Sequence, residues 1–319
     1  MNYKLKKIAG DASFREFYRI KKNKKTSIIV FAKKEKYKNL IVYSAVNEIL
    51  NFHNVSSPKL LNNYYKNDII EITDLGDKSF YDLIKNKKNK TKDYKKLIEL
   101  ILKIQKIKIK KIYYFKGKKI KFYKYTLNEL EKESDLFFDW YLKYYSKNIK
   151  LNKIKKILKK ELRNIYKKLH FKSNYFTHKD FHASNIMVSK KKLSLIDSQD
   201  AIIGNPLYDV ASLIDDVRIK IPKSLQDSLF NYYMQKSNFT IKDFLNLKND
   251  FDILSVQRNL KILGIFVRLF KRDKKPNYIK YLPYTWLLIN RRMKNPIFNK
   301  LNYLFKKHLS LKNLRIAKI

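Results

Sequence analysis

The 319-residue sequence contains no cysteine and little glycine, proline, tryptophan or histidine, with five, six, two and five residues respectively. The absence of cysteine excludes disulfide bridges, thiolate catalysis and zinc sites built on cysteine. No uninterrupted apolar run is long enough to cross a bilayer. The N-terminus is basic but has no apolar region of the kind that signal peptides carry. We therefore expect a soluble cytoplasmic protein.

Acidic residues are also few, with 28 Asp and Glu against 73 Lys and Arg, which gives a formal net charge of +45. Such a charge is typical of proteins that bind nucleic acids or anionic membranes. The lysines are spread along the whole chain, however, and Ile, Asn and Tyr are abundant too, as an AT-rich genome would favour. Diffuse charge usually forms a solvated surface. We therefore expect no stable nucleic-acid or membrane partner, but salt-sensitive attraction of anions such as ATP.

Hydrophobic residues make up 45% of the chain, enough for a packed core. Between Phe14 and Phe31 the pattern predicts two strands around a polar turn, and residues 68–73 predict another strand. Residues 39–53 have the apolar spacing of a helix. The sequence therefore predicts an α+β fold, with a small sheet-rich unit over residues 1–76 and a mainly helical unit over residues 77–319.

Polar groups of a kind suited to catalysis gather in the stretch THKDFHASNIMV, residues 177–188. His178, Asp180 and Asn185 have the spacing H-x-D-x-x-x-x-N found in the catalytic loop of protein kinases. Phosphoryl transfer depends mainly on positioning and charge. A carboxylate at Asp180 suits acceptance of a hydroxyl proton, and the amide oxygen of Asn185 suits a Mg²⁺ ligand.

A second carboxylate, Asp197, ends the apolar segment LSLI, which follows the segment IMV across a short polar turn. This arrangement predicts a β-hairpin with Asn185 and Asp197 at neighbouring ends. Each residue alone also fits a helix cap, a turn or a core histidine. Taken together, they favour a kinase-type site.

These stretches, continued through GNPLYDVASLIDD, resemble the aminoglycoside phosphotransferase/choline-kinase-like branch of the protein-kinase fold. Asp197 is followed by Ser-Gln rather than Phe-Gly, unlike an ordinary protein kinase. Four more stretches resemble the bacterial kinases that phosphorylate the anomeric hydroxyl of N-acetylmuramate and N-acetylglucosamine: residues 10–20, 72–77, 136–142 and 251–283. The resemblance thus spans nearly the whole chain, and it implies a two-lobed fold with a β-rich N-lobe and a larger, mainly helical C-lobe.

The resemblance also implies roles for individual residues and two cofactors, ATP and Mg²⁺. Asp180 would accept the sugar proton, His178 would brace the catalytic loop, and Asn185 and Asp197 would ligate the metal. The implied ATP-binding residues are Gly10, Asp11, Ser13, Lys33, Glu48, Ile72, Asp74 and Gly76. The implied substrate-binding residues are Asp180, Asp216, Gln257 and Arg258, with Arg258 suited to the carboxylate of N-acetylmuramate.

The sequence departs from the family pattern in its N-terminal unit. The segment GDASF offers one glycine rather than a glycine-rich phosphate loop. The lysine that usually contacts phosphate is not clearly placed, so Lys33, Lys34, Arg15 and Arg19 all remain candidates. Glu48 is either the partner of such a cation or a plain exposed helix acid.

The sequence therefore predicts a kinase that makes a sugar 1-phosphate for cell-wall recycling, linked metabolically to a nucleotidyltransferase. Three alternatives stay open. One is a kinase of the same fold for an aminoglycoside, choline or another sugar. The second is a basic nucleic-acid-binding protein on a kinase-like scaffold. The third is a membrane-surface protein using the Lys- and Tyr-rich segment 105–125, although a packed element decorated with lysines is the simpler interpretation of that segment.

Overall fold

The computed structural model describes residues 4–8, 15–22, 25–32, 38–145, 151–189 and 192–309. Contacts divide the chain into two compact units. The first comprises residues 1–123 and 175–203, and the second comprises residues 124–174 and 204–319. The predicted boundary after residue 76 concerns the lobes of the family fold, and it stays a prediction.

A five-stranded antiparallel sheet with the order β1-β2-β3-β5-β4 forms the start of the first unit. Its strands are β1 (Lys4–Ile8), β2 (Glu16–Lys22), β3 (Lys25–Phe31), β4 (Leu60–Tyr64) and β5 (Ile69–Thr73). Alternate residues of β3 and β5 point into one core, since period-two alternation places them on the same face: Ile28, Val30, Ile70 and Ile72. The strands predicted within residues 14–31 and 68–73 are confirmed. Neither β1 nor β4 was predicted, because most of their residues are exposed and give no alternating pattern.

Helix α1 (Lys38–Phe52) confirms the helix predicted over residues 39–53. It packs Leu40 and Tyr43 onto the core of the sheet. The helix ends at Phe52, and two residues later Asn54 adopts a positive φ of 59°. The amide of Val55 then bonds to the carbonyl of Leu50 at 2.8 Å, as at many helix C-termini.

The rest of the first unit adds short elements, some of which position the candidate site. These are α2 (Phe80–Ile84), α3 (Thr91–Gln105), β6 (Ile112–Phe115), β7 (Lys118–Lys121), β8 (Tyr175–Thr177), β9 (Ile186–Ser189) and β10 (Lys192–Leu195), and β11 (Ile202–Gly204) lies at the boundary with the second unit. The segment 105–125 contains the β6–β7 hairpin, which buries Phe115, Ile120 and Phe122 and exposes its lysines. This confirms a packed element decorated with lysines.

The second unit is helical, as predicted. Its elements are α4 (Leu127–Leu136), a π-helix (Phe137–Leu142), α5 (Lys143–Tyr145), α6 (Leu151–Tyr166), α7 (Leu207–Ile214), α8 (Lys223–Lys236), α9 (Phe244–Lys271), α10 (Leu282–Arg292) and α11 (Asn299–His308). Within the described residues, no helix has the length and apolar character needed to span a membrane.

The long helix α9 runs close to the π-helix at Gly264. A Cβ atom at Gly264 would lie 2.2 Å from the carbonyl carbon and oxygen of Leu136 and 2.7 Å from the amide nitrogen of Phe137. These are backbone atoms that cannot rotate away. Glycine at this position therefore permits a direct backbone contact between the two helices.

A buried polar network also fixes the helices of the second unit. The carboxylate of Asp215 receives two bonds from Arg292, from Nε at 2.8 Å and from Nη2 at 2.7 Å. It also accepts from Gln226 Nε2 at 2.9 Å and from the hydroxyl of Ser255. The side chains of Arg292 and Asp215 are only 4% and 1% exposed. This acid is therefore fully committed to a structural role.

Candidate active site

The predicted catalytic loop follows β8 directly, and a histidine ties it to the next part of the site. His178 is fully buried and donates from Nε2 to the carbonyl oxygen of Ile196, at 3.1 Å. Its ring meets Phe181 edge-on. The next residue, Lys179, has a φ of 77°, a strained conformation for a residue with a side chain. His178 thus links the loop to the residue that precedes Asp197.

Asp180 and Asn185 are joined through the backbone of the same loop. The amide of His182 bonds to the carbonyl of Asp180 at 3.0 Å, and the amide of Asn185 bonds to the carbonyl of His182 at 2.9 Å. The side-chain nitrogen of Asn185 donates to the carbonyl of Asp180 at 3.1 Å. Because the amide nitrogen is used in this way, the amide oxygen of Asn185 is the atom suited to ligate a cation.

The predicted hairpin is present. Strands β9 and β10 pair antiparallel, with Ile186 opposite Leu195. One residue beyond, the amide of Ile196 bonds to the carbonyl of Asn185 at 3.0 Å. Asn185 and Asp197 therefore lie at the same end of the hairpin, as the sequence predicted. Asp197 has a φ of 63°, a second strained position within the site.

The carboxyl group of Asp197 has a raised pKa. Partial burial is the main cause, since the surrounding protein disfavours the charged form, and the negative charge of Asp180 adds to it. A hydrogen bond from Gln199, followed by the positive charge of Arg15, acts in the opposite direction. A carboxylate whose charged form is disfavoured by burial and by a second acid favours the binding of a cation.

Sequence reasoning missed two residues around Asp197: Gln199, which bonds to it, and Asn47, which bonds to the following residue, Ser198. Gln199 Nε2 donates to Asp197 Oδ1 at 2.8 Å, and Gln199 Oε1 accepts from Arg15 Nη1 at 3.0 Å. The Arg15 guanidinium lies 5.7 Å from the ring centre of Tyr43, whose own pKa burial raises to about 12. Gln199 stands where a protein kinase has the glycine after Phe, and that departure was the only available signal of its role.

The other missed residue, Asn47, lies on helix α1. It is 2% exposed, and its side-chain oxygen accepts from the hydroxyl of Ser198 at 2.7 Å. Its neighbour Glu48, the predicted partner of a phosphate-binding cation, is exposed and accepts from the hydroxyl of Tyr113 at 2.8 Å. One residue corresponds to about 100° around a helix, so Asn47 rather than Glu48 faces the segment after Asp197. The role of Glu48 stays a prediction.

The predicted adenine hinge follows strand β5. Ile72 is buried in the sheet core, and the carboxylate of Asp74 accepts from the amide of Gly76 at 2.9 Å. Asp74 also pairs with Arg19, with 2.6 Å between Oδ2 and Nε, and this interaction contributes to a lowered pKa despite partial burial. Gly76 has a φ of 87°, which favours glycine. Hinge contacts to adenine stay a prediction.

The remaining nucleotide residues Gly10, Asp11, Ser13 and Lys33 lie outside the described residues, as does Lys34. The predicted substrate residues Asp216, Gln257 and Arg258 belong to the second unit and are all buried. Gln257 Nε2 lies 3.3 Å from the carbonyl oxygen of Leu130. Arg258 Nη1 is buried, and within the described part of the chain it has no hydrogen-bond acceptor. A buried guanidinium of this kind suits an anionic ligand.

The donor set around Asp197 is suited to magnesium. Among the described residues there is no cluster of three or more His, Asp or Glu side chains arranged to hold a metal. Mg²⁺ is normally bound by one or two protein oxygens together with the phosphates of its substrate. Asn185 and Asp197, which bring an amide and a carboxylate oxygen to one end of a hairpin, fit that requirement.

Comparison with known proteins agrees with this chemistry. The model of a phosphotransferase enzyme family matches residues 4–240. An N-acetylmuramate/N-acetylglucosamine kinase of Pseudomonas aeruginosa is 26% identical over 286 residues, which cover 86% of this chain and 79% of that protein. A kinase of the same name from Caulobacter vibrioides is 24% identical over 276 residues, covering 83% and 74%.

Solved structures show the same fold at lower identity. An ethanolamine kinase of Plasmodium vivax is 14% identical with a TM-score of 0.62, covering 89% of this chain and 81% of its own. A thermostable mutant of an aminoglycoside phosphotransferase is 12% identical with a TM-score of 0.63, covering 90% and 94%. The same enzyme has been solved in a ternary complex with ADP and hygromycin B. The protein-kinase-like α+β fold is thereby confirmed.

The matched region contains the catalytic loop, the hairpin and Asp197. We conclude that the chain belongs to the phosphotransferase enzyme family and is a kinase that transfers phosphate to a hydroxyl acceptor.

Proposed function

We propose that the protein transfers the γ-phosphate of ATP to the anomeric hydroxyl of N-acetylmuramate or N-acetylglucosamine. The observation that carries the proposal is the shared end of the β9–β10 hairpin, which brings Asn185 and Asp197 together beside the loop of Asp180. The names of the curated relatives, which align over most of the chain, support an amino sugar as acceptor.

In the proposed reaction Asp180 accepts the proton of the sugar hydroxyl as its oxygen forms a bond to the γ-phosphorus. The bond between that phosphorus and the bridging oxygen of ADP breaks, and ADP leaves with the electron pair. Asn185 and Asp197 would hold Mg²⁺, which supplies charge neutralisation at the phosphates when bound. His178 keeps the loop in register with Asp197 through its bond to Ile196.

Sugar recognition is proposed for the buried polar residues of the second unit. Asp216 accepts from the amide of Arg218 at 3.0 Å, which fixes its carboxylate. Arg258, buried and with no acceptor for its Nη1 in the described part of the chain, is the proposed partner of the lactyl carboxylate of N-acetylmuramate. The product, a sugar 1-phosphate, is of the class that nucleotidyltransferases consume. Because the reaction uses ATP, the proposed setting is the cytoplasm.

The test is ADP release by the purified protein with ATP and Mg²⁺, with N-acetylmuramate, N-acetylglucosamine, glucose, choline and an aminoglycoside as acceptors. We expect turnover on the two N-acetylated sugars and a loss of at least about a hundredfold in Asp180→Ala, the scale at which general bases contribute. Turnover on choline or the aminoglycoside alone would overturn the amino-sugar assignment. Salt-dependent RNA binding without any turnover would favour the nucleic-acid-binding alternative.

A further inference from the structure

The sequence leaves open which cation neutralises the ATP phosphates, and the structure separates two of the candidates. Arg19 is already committed to two acids. Its Nε lies 2.6 Å from Asp74 Oδ2, and its Nη1 lies 2.7 Å from Asp77 Oδ1. Its charge is therefore balanced at the predicted hinge, and any phosphate there would compete with two carboxylates.

Arg15 has a different environment. Its side chain is only 4% exposed, and its Nη1 lies 3.9 Å from Asp197 Oδ1, too far for a hydrogen bond. The residue between them is Gln199, which accepts from Arg15 Nη1 at 3.0 Å and donates to Asp197 Oδ1 at 2.8 Å. The guanidinium is thus held beside the carboxylate without closing on it.

The orientation of the Gln199 amide follows from its two partners. A guanidinium only donates hydrogen bonds, and an ionised carboxylate only accepts them. The amide oxygen must therefore face Arg15 and the amide nitrogen must face Asp197. The reverse orientation would lose both bonds, so Gln199 sets a defined spacing between one cation and one anion.

This spacing suits a site that must receive a polyanion. Asp180 and Asp197 are two acids of one site, since His178 bonds the loop of Asp180 to the residue before Asp197. ATP brings further negative charge, so a nearby cation is needed. Arg15 lies less than 4 Å from Asp197. A phosphate bound to the same metal ion as Asp197 would therefore be within reach of Arg15, and the planar guanidinium matches phosphate oxygens.

We infer that Arg15 neutralises the terminal phosphates of ATP and that Gln199 is the positioning residue that holds Arg15 and Asp197 at their spacing. The inference rests on the proposed function, because it places the phosphates of ATP beside Asp197. It assigns the neutralisation of phosphate to Arg15, the residue just before β2, rather than to Lys33 or Lys34, which follow β3 in the sequence.

The first experiment measures ATP binding by calorimetry in EDTA and in Mg²⁺, so that the result does not depend on turnover. Arg15→Gln should weaken ATP binding in EDTA about tenfold to a hundredfold, the range for a hydrogen bond to a charged group. Arg15→Lys keeps the charge but loses the planar fork, so its affinity should fall between wild type and Arg15→Gln. It is also the fallback if Arg15→Gln does not fold. Arg163→Gln, an exposed arginine of the second unit paired with Glu131, is the matched control and should bind ATP like wild type.

The second experiment separates positioning from simple structural support. Gln199→Ala should lower kcat more than it raises the KM for ATP, and should raise the Mg²⁺ concentration needed for half-maximal rate. The double variant Arg15→Gln/Gln199→Ala should bind ATP no more weakly than Arg15→Gln alone, since both substitutions remove one interaction. Additive losses would overturn the role of Gln199.

The inference fails if Arg15→Gln binds ATP within about twofold of wild type while Arg19→Gln loses affinity by the factor expected for Arg15. This outcome is distinct from failure of the proposed function. If the proposed function were wrong, the wild-type protein would phosphorylate no N-acetylated sugar, and Asp180→Ala would be indistinguishable from wild type. A wild type that phosphorylates the sugar together with a fully binding Arg15→Gln would refute the role of Arg15 alone.

Discussion

Asp197 of the first unit and Asp215 of the second have the same kinds of neighbours in different geometries. Each accepts from a glutamine Nε2, Gln199 at 2.8 Å and Gln226 at 2.9 Å, and the oxygen of each glutamine accepts from an arginine. Asp215 also receives two direct bonds from Arg292 and is 1% exposed. Asp197 has its arginine at 3.9 Å and is 42% exposed.

The difference separates a structural carboxylate from one prepared for a ligand. Asp215 has its oxygens occupied by four hydrogen bonds from protein groups, so no cation is needed to stabilise it. Asp197 keeps the capacity to accept further bonds, and its pKa is raised. Its ionised form is therefore unfavourable until a cation binds. Identical residue types thus serve opposite purposes, and the distance to the arginine distinguishes them.

The largest expected effect is on turnover. Asp197→Asn should lower kcat about a thousandfold, because it removes the charged oxygen proposed to hold the metal while preserving the shape of the side chain. Asp200→Asn, the same substitution at an exposed position three residues along, should stay within about threefold of wild type. Initial rates of ADP release would measure both. Near-normal turnover in Asp197→Asn would contradict the ligand role of this acid.

The second-largest effect should be on the free energy of unfolding, and it should follow from removing the cation that pairs with Asp215. Arg292→Met leaves the carboxylate of Asp215 buried without its cation, which should cost about 3–5 kcal/mol. Among the interactions that Arg15→Met removes are a hydrogen bond to Gln199 and an ion pair at 3.9 Å with a partly exposed acid, so its cost should be smaller, about 1 kcal/mol. Urea unfolding followed by circular dichroism would compare the two. Equal shifts in the midpoint would show that the two arginines are structurally equivalent.

A smaller effect should appear in the pH dependence of stability. Because the pKa of Asp197 is raised in the folded protein, the folded state binds its proton more tightly than the unfolded chain does. Stability is therefore lost as pH rises from the ordinary aspartate pKa through the raised one. Asp197→Asn should unfold at a higher temperature than wild type at pH 7, and this gain should vanish as the pH falls below that interval. A gain that is independent of pH would show that ionisation is not its cause.

The smallest effect should come from an exposed ion pair. Lys223 and Asp227 lie 3.8 Å apart on α8, with 68% and 46% of their side chains exposed. Lys223→Gln should change the free energy of unfolding by less than about 0.5 kcal/mol, since exposed pairs gain little over solvated charges. A thermal midpoint several degrees below wild type would show that burial does not decide the value of ion pairs in this protein.

The parts of the structure that the sequence predicted are those with strong local signals. The β9–β10 hairpin, helix α1 and strand β5 follow from apolar periodicity and turn-forming residues in the sequence. The spacing of His178, Asp180 and Asn185 is also local, because all three belong to one loop. These features need no knowledge of distant contacts.

The contacts of Asp197 with the rest of its unit were not predictable in the same way. Arg15 is 184 residues from Gln199 in sequence, and Asn47 is 151 residues from Ser198. Only the tertiary fold brings such residues together. The sequence singled out Glu48 on α1, and only the rotation of the helix in the fold shows that its neighbour Asn47 bonds to Ser198.

The contact at Gly264 bears on how far the composition of this protein can change. A genome that favours lysine and isoleucine codons can replace many residues on the surface and in the core without altering the backbone. At Gly264 any replacement would place an atom within 2.2 Å of the Leu136 carbonyl, and at Gly76 and Gly117 the backbone has a positive φ that favours glycine. Of the five glycines that the chain retains, these three therefore mark positions where compositional drift would be limited by geometry.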